Sequence, residues 1–220
     1  MRVWPFEFLF LNFDLFDMKR FFITGIDTGI GKTIVSAIVT EKLQADYWKP
    51  IQSGDLDNSD TLTVKQLVAN PVTTFHPEAY GLTQPFSPHK SAAIDGIQID
   101  PDTIRLPQTT NSLVVEGAGG LMVPLNEKTL IIDLIKKLEL EVILVAKNYL
   151  GSINHTLLSL EMLRLKHIPI AGIVFNGPND NSSEDYILNY SKAPLLGRVP
   201  KLETLSHQVI TDAGKYISLS

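Results

Sequence analysis

The run Gly25-Ile26-Asp27-Thr28-Gly29-Ile30-Gly31-Lys32-Thr33 combines residue types that can cradle a phosphate. Glycines let backbone N–H groups close around phosphate oxygens with no Cβ in the way. A lysine there reaches the β- and γ-phosphates of a nucleotide, and the Thr33 hydroxyl suits Mg²⁺. The spacing departs from G-x-x-x-x-G-K-[ST] by one residue, because Gly25 sits one position further back. This chemistry needs a strand before the loop and a helix after it. Phe21-Phe22-Ile23 reads as a short buried strand, and Ile34 to Val39 followed by Thr40 to Leu43 reads as a helix. That helix starts at about Lys32, so its free N–H groups and positive dipole end face the same oxygens. A glycine-rich β–α turn with a chance Lys-Thr is the plainer reading, and both flanking elements argue against it.

Three further stretches carry charge to strand or helix ends. In Leu113-Val114-Val115-Glu116-Gly117-Ala118-Gly119-Gly120 an apolar strand ends in a carboxylate and a glycine-rich turn. An acid so placed near a P-loop holds Mg²⁺, and the glycines allow backbone approach to a ligand. In Asp46-Tyr47-Trp48-Lys49-Pro50-Ile51-Gln52-Ser53-Gly54 the strand spans Tyr47 to Lys49 and stops at Pro50. Ligands of open parallel sheets bind beyond the carboxyl ends of the strands, so Lys49 and Ser53 fall on the P-loop side. A lysine at a strand end, read alone, is more often simply solvated. Asn58-Ser59-Asp60 opens an amphipathic helix, Thr61 to Val68. Asp60 is either a Mg²⁺ carboxylate or a residue that caps the helix start, and spacing alone favours the cap.

Parallel βαβ units are needed to bring such ends together, and the chain supplies them. After residue 113 helices are expected near 130–138, from Gly151 to about Lys166, and near 183–189, with a last one inside 203–213. Strands are expected at Val142–Ala146, Ile170–Phe175 and Leu195–Pro200. This alternation predicts an α/β fold: a single-domain, P-loop NTPase-like, mostly parallel β-sheet with helices on both faces. Residues 70–110 are the least regular, with a short helix at Lys90–Asp95 and a second helix opening at Asp100-Pro101-Asp102.

The bounds agree. The chain has 220 residues, 44% hydrophobic and 20% charged, with no linker or repeat, as for one soluble domain. A net charge of −5 argues against a nucleic-acid surface. No cysteine is present, which removes disulfides and thiolate chemistry and fits a reducing cytoplasm. The five histidines lack metal-ligand spacing. Residues 1–17 hold Trp4 and five of the ten Phe, but Glu7, Asn12 and Asp14 break the run, so it does not read as a membrane span. It does not read as a signal peptide either. Met18 directly before the first strand suggests that 1–17 is an extension outside the fold, residues 18–220 being the domain; an added edge strand is the alternative.

Taken together, the variant P-loop, Trp48-Lys49-Pro50-Ile51-Gln52-Ser53-Gly54, Asn58-Ser59-Asp60, Ser87-Pro88-His89 and Val115-Glu116-Gly117-Ala118-Gly119-Gly120 resemble the dethiobiotin synthetase family. Leu150-Gly151-Ser152-Ile153-Asn154-His155, Pro194-Leu195-Leu196-Gly197 and Gly214-Lys215-Tyr216-Ile217 fit as well, in unbroken order from Met18 onward. The resemblance implies ATP- and Mg²⁺-dependent carboxylation of 7,8-diaminononanoate with CO2 and ring closure to dethiobiotin. It implies that Gly29, Ile30, Gly31, Lys32, Thr33 and Ile34 hold the nucleotide phosphates, and that Thr33, Asp60 and Glu116 ligate Mg²⁺. Gly117, Ala118 and Gly119 would also line the nucleotide. Asn176 would read adenine, with Pro200, Lys201 and Leu202 in the base-contacting loop. Lys49 would bridge carbamate and transferring phosphate, with Thr28 and Ser53 as substrate-bonding hydroxyls. The family is a homodimer, so Gly151, Ser152, Ile153 and Asn154 of one subunit, with Tyr186, would hold the substrate carboxylate of the other.

The sequence departs from the family at Gly29, where Glu is common, and at Lys201, where an aromatic is often found. Residues 203–212 do not align cleanly. A switch ATPase of the partition or division-site type shares this loop, but carries a lysine where Asp27 stands here. A small-metabolite kinase, a related ligase and an inactive scaffold are further rivals.

Overall fold

The computed structural model describes residues 18–219, so the extension proposed for 1–17 lies outside the described residues. Among the described residues seven strands form one sheet in the order β4-β2-β6-β1-β7-β8-β9, and every ladder between them is parallel. β1 (Arg20–Gly25) lies at its centre, between β6 (Leu113–Gly120) and β7 (Glu141–Ala146). β2 (Asp46–Trp48) and β4 (Phe75–His76) extend one side; β8 (Ile170–Asn176) and β9 (Leu195–Val199) extend the other. The chain leaves β1 toward one edge and later returns past it to the other. That reversal opens a crevice at the carboxyl end of β1, where open α/β sheets bind ligands.

Two apolar layers cover the sheet because alternate strand residues face opposite sides. In β1, Phe22 packs into one layer while Phe21 and Ile23 pack into the other. The Ile23 layer takes the buried stripes of α1 (Lys32–Leu43), α2 (Asp60–Leu67) and α7 (His207–Ala213). The Phe22 layer takes α3 (Pro88–Ile94), α4 (Ile131–Leu138), α5 (Ser152–Leu165) and α6 (Asn181–Ser191). Helix α4 shows the sequence logic plainly: Ile131, Ile132, Leu134, Ile135 and Leu138 are buried, and Lys136 and Lys137 fall in its last turn.

Several expectations need correction. Pro50 does end β2, one residue early at Trp48, but the chain then forms β3 (Ile51–Ser53), which pairs in parallel with β5 (Tyr80–Leu82) as a separate small sheet. Three residues without alternation give no strand signal. The helix expected at Asp100 is only a 3₁₀ turn, Pro101–Thr103, whose start is capped when Asp100 accepts from Asp102 N–H. The strand carrying Glu116 does not turn at Gly117; β6 continues to Gly120. A Cβ on Gly117 would stand 2.7 Å from the Phe22 ring, so that glycine is required by core packing rather than by ligand approach.

At the foot of β2, buried Asp46 accepts from Thr74 N (3.0 Å), Thr109 Oγ1 (2.6 Å) and Asn111 Nδ2 (3.2 Å), with His76 Nε2 at 3.1 Å. Burial acts to raise its pKa, and these hydrogen bonds outweigh it, so the carboxyl lies below its ordinary value. A depressed native pKa adds stability above the unfolded value of ~3.9 and loses it as pH falls through the native value. Asp46→Asn is therefore expected to cost about 1–3 kcal/mol at pH 7. The gap from wild type should narrow below pH ~3.9 in urea unfolding across a pH series.

Candidate active site

The P-loop closes over the carboxyl end of β1 through two glycines with positive φ, Gly29 at 71° and Gly31 at 93°. Gly31 is the N-cap of α1 and, as a glycine, brings no capping side chain, leaving the first N–H groups of the helix for a ligand. A Cβ on Gly31 would sit 2.1 Å from Asn176 Nδ2, which donates to Ile30 O at 2.8 Å. Asn176 thus pins the loop from β8. Ile30 itself points into the core, 3% exposed. Lys32 is buried, and its ammonium donates to Asp27 O at 2.9 Å. Burial holds the Lys32 pKa below the ordinary lysine value, against the opposing pull of Glu116.

Four polar side chains converge beside this loop. Thr33 Oγ1 lies 2.8 Å from Asp60 Oδ1 and 3.0 Å from Glu116 Oε1. Lys49 Nζ lies 2.7 Å from Asp60 Oδ2 and 3.4 Å from Glu116 Oε1. The sequence separations are large; adjacency of β2, β6 and β1 makes the meeting possible. Burial alone would lower the Lys49 pKa, but Glu116 and Asp60 together raise it above the ordinary value. Burial pushes Asp60 the other way, and Lys49 and Thr33 hold its carboxyl below the usual range. Asp60 is not the cap of α2: Ser59 is, accepting from Leu62 N–H at 3.3 Å. That frees Asp60, in the first turn, to face Lys49 and Thr33.

These groups open into a cavity of about 690 Å³, lined also by Thr28, Gly29, Ile34, Ser53, Ala118 and Gly119. Among the described residues, buried Ser53 Oγ finds no hydrogen-bond partner. Gln52, Asp55 and the wall Pro85-Phe86-Ser87-Pro88 line it too, and sequence reasoning gave none of them an individual role. Gln52 accepts from Asp60 N at 3.3 Å and donates to Gly54 O at 3.0 Å, fixing the start of α2. Tyr47 was also missed: its hydroxyl donates to Glu116 Oε2 at 2.9 Å from full burial. Alternation along β2 was its signal, since Tyr47 shares a face with Lys49.

Other expected residues lie elsewhere. Gly117 is outside the cavity lining, as are Asn176, Pro200, Lys201 and Leu202; Lys201 pairs with Glu203 at 3.3 Å. Gly151, Ser152, Ile153 and Asn154 form the start of α5, where Gly151 takes φ 104°, and Tyr186 is 54% exposed on α6. Among the described residues no three His, Cys, Asp or Glu side chains cluster as a metal site. Two carboxylates and a hydroxyl on one side of the cavity are nonetheless hard oxygen donors, the set that suits Mg²⁺ with water and phosphate completing its shell. The cationic Lys49 head already sits against both carboxylates, so the pocket accommodates positive charge.

A glycine-rich loop opening a helix at the carboxyl rim of a parallel sheet, with helices on both faces, defines the class: a P-loop nucleotide-binding α/β domain. An AAA domain family model matches residues 19–209. Among solved structures, the cell division ATPase MinD of Pyrococcus furiosus superposes with a TM-score of 0.59 at 13% identity, over 90% of this chain and 97% of that one. A ParA family ATPase of Chlorobium tepidum gives 0.55 at 13% identity, over 91% and 100%. At such identities the likeness is one of fold alone. Relatives in sequence are far nearer. The ATP-dependent dethiobiotin synthetase BioD of Christiangramia forsetii is 51% identical over 194 residues, 88% of this chain and 93% of that protein. The synthetase of Cytophaga hutchinsonii is 48% identical over 195 residues, 88% and 94%. The chain belongs to the ATP-dependent dethiobiotin synthetase family, and it is an ATP-dependent ligase rather than a partition-type switch. No helix of the described residues is long and apolar enough to cross a membrane.

Proposed function

We propose that the chain converts 7,8-diaminononanoate, CO2 and ATP to dethiobiotin, ADP and phosphate, with Mg²⁺, in the cytoplasm. One amine takes up CO2 as a carbamate. A carbamate oxygen attacks the γ-phosphorus, ADP leaves, and a carbamic–phosphoric anhydride results. The second amine then attacks the carbonyl carbon, closing the five-membered urea as phosphate departs.

The observation that carries this reading is the meeting of Lys49, Lys32, Thr33, Asp60 and Glu116 around one cavity beside the unpartnered Ser53 hydroxyl. Two anions have to approach each other in the phosphoryl-transfer step, and fixed positive charge is what lowers that barrier. Lys32 serves the β- and γ-phosphates, and Lys49 serves the carbamate and the transferring group. Thr28 and Ser53 orient the diamine. Thr33, Asp60 and Glu116 would hold Mg²⁺, which supplies charge neutralisation at the phosphates. Gly29, Gly31, Ile34, Ala118 and Gly119 complete the nucleotide cradle. Asn176, with Pro200, Lys201 and Leu202, forms the base end.

We also propose a homodimer with shared sites, in which Gly151, Ser152, Ile153, Asn154 and Tyr186 of one subunit bind the substrate carboxylate of the other through the helix start. Supporting it is an apolar groove of about 540 Å³ beside Thr28, flanked by Met122 and Leu158, which are 55% and 61% exposed. Leu158→Glu is expected to sediment as a monomer and to lose dethiobiotin formation; a fully active monomer would remove the shared site. The reaction itself is tested by phosphate release with the diamine and bicarbonate, product being read by mass spectrometry. Phosphate released without the diamine, and no dethiobiotin, would overturn the assignment in favour of a switch ATPase.

A further inference from the structure

Glu116 is 1% exposed, and its two carboxylate oxygens have separate partners. Oε1 faces the cavity side, near Thr33 Oγ1 (3.0 Å) and Lys49 Nζ (3.4 Å). Oε2 is turned inward and accepts from the Tyr47 hydroxyl at 2.9 Å. Tyr47 reaches it because the β2–β6 ladder pairs Tyr47 with Val114, and Glu116 lies two residues further on the same face. The phenol is itself immobilised. Its residue is 0% exposed between β6 and the edge strand β4, and its ring packs on Phe75 with centroids 6.1 Å apart. By holding Oε2, the phenol opposes rotation of the carboxylate about its last bond.

We propose that Tyr47 is a positioning residue for the divalent-cation site: by holding Oε2 of Glu116 it presents Oε1 alone toward Thr33 and Asp60. This rests on the Mg²⁺ assignment made above. Hydrogen-bond partners behind a metal-binding carboxylate set its orientation, and removing one typically weakens binding ~10–100-fold. A tyrosine with only a packing role would change stability and leave cation affinity alone.

The test is direct Mn²⁺ binding, read by electron paramagnetic resonance with a non-hydrolysable ATP analogue present. Tyr47→Phe is expected to raise the Mn²⁺ Kd ~10-fold. Affinity for the analogue without metal should be unchanged. Glu116→Gln should weaken Mn²⁺ at least as much, and Tyr47→Phe added to it should change the Kd less than about two-fold, because the phenol acts through the charged carboxylate. Wild-type Mn²⁺ affinity in Tyr47→Phe, with loss in Glu116→Gln, would overturn the positioning role and leave the cation site standing. Wild-type affinity in both would remove the cation site itself. Should Tyr47→Phe fail to fold, a crystal structure of the wild-type protein with Mn²⁺ and the analogue decides: the Tyr47–Oε2 bond retained with Oε1 on the ion supports the proposal, and Glu116 turned away from Tyr47 overturns it.

Discussion

Replacing Lys49 by alanine should lower kcat about 10³-fold, the scale of losing one fixed charge aimed at a developing anion. It should also destabilise the fold without ligands, because Asp60 Oδ2 and Glu116 Oε1 then lose the ammonium that faces them. Breaking a buried pair costs about 3–5 kcal/mol, and Asp60, a third exposed, puts this case at the low end. Millimolar Mg²⁺ is expected to restore much of that stability, by supplying positive charge to the same carboxylates, and to restore none of the turnover. Steady-state kinetics and thermal melts with and without Mg²⁺ read both quantities. Normal turnover in Lys49→Ala would remove Lys49 from the chemistry. A melt unchanged from wild type would mean that the ion pairs contribute nothing to stability.

Lys32→Ala should behave differently although the residue lines the same cavity. Turnover should again fall, by ~10²–10³-fold, since the γ-phosphate loses its partner. The melting temperature should stay close to wild type, because Lys32 makes one hydrogen bond, to Asp27 O, and its charge is disfavoured by burial. The pair of variants thus separates a cation held ready for ligand from one that also neutralises the protein. If both variants lost stability equally, the distinction drawn from their contacts would be wrong.

Much of this arrangement was legible in the residues. Strand–helix alternation after Leu113 marked β6 to β9 and the helices between them, because buried parallel strands and amphipathic helices have different apolar periods. Lys32, Thr33 and Lys49 were readable because each follows a strand or opens a helix on the ligand side of the sheet, and Glu116 because it is a carboxylate set between an apolar strand run and a glycine-rich one. Asp60 needed three dimensions: cap and ligand look alike in sequence, and Ser59 taking the cap removes the first of those readings. The reason for Gly117 was illegible, since the atom it avoids belongs to Phe22 on another strand. The β3–β5 pair was hidden for want of length. Tyr47 was passed over because an aromatic in a buried strand signals packing; alternation put it on the face of Lys49 but could not show a carboxylate two rungs along the next strand.

The charged side chains lining the cavity nearly cancel: Lys32 and Lys49 stand against Asp55, Asp60 and Glu116, a formal charge of −1. Such an interior gives a bare tetra-anionic nucleotide no net attraction, and a lone dication only a weak one. Each ligand supplies the countercharge that the other lacks. Nucleotide and metal affinities are then thermodynamically reciprocal, whatever factor one contributes to the other being returned in full.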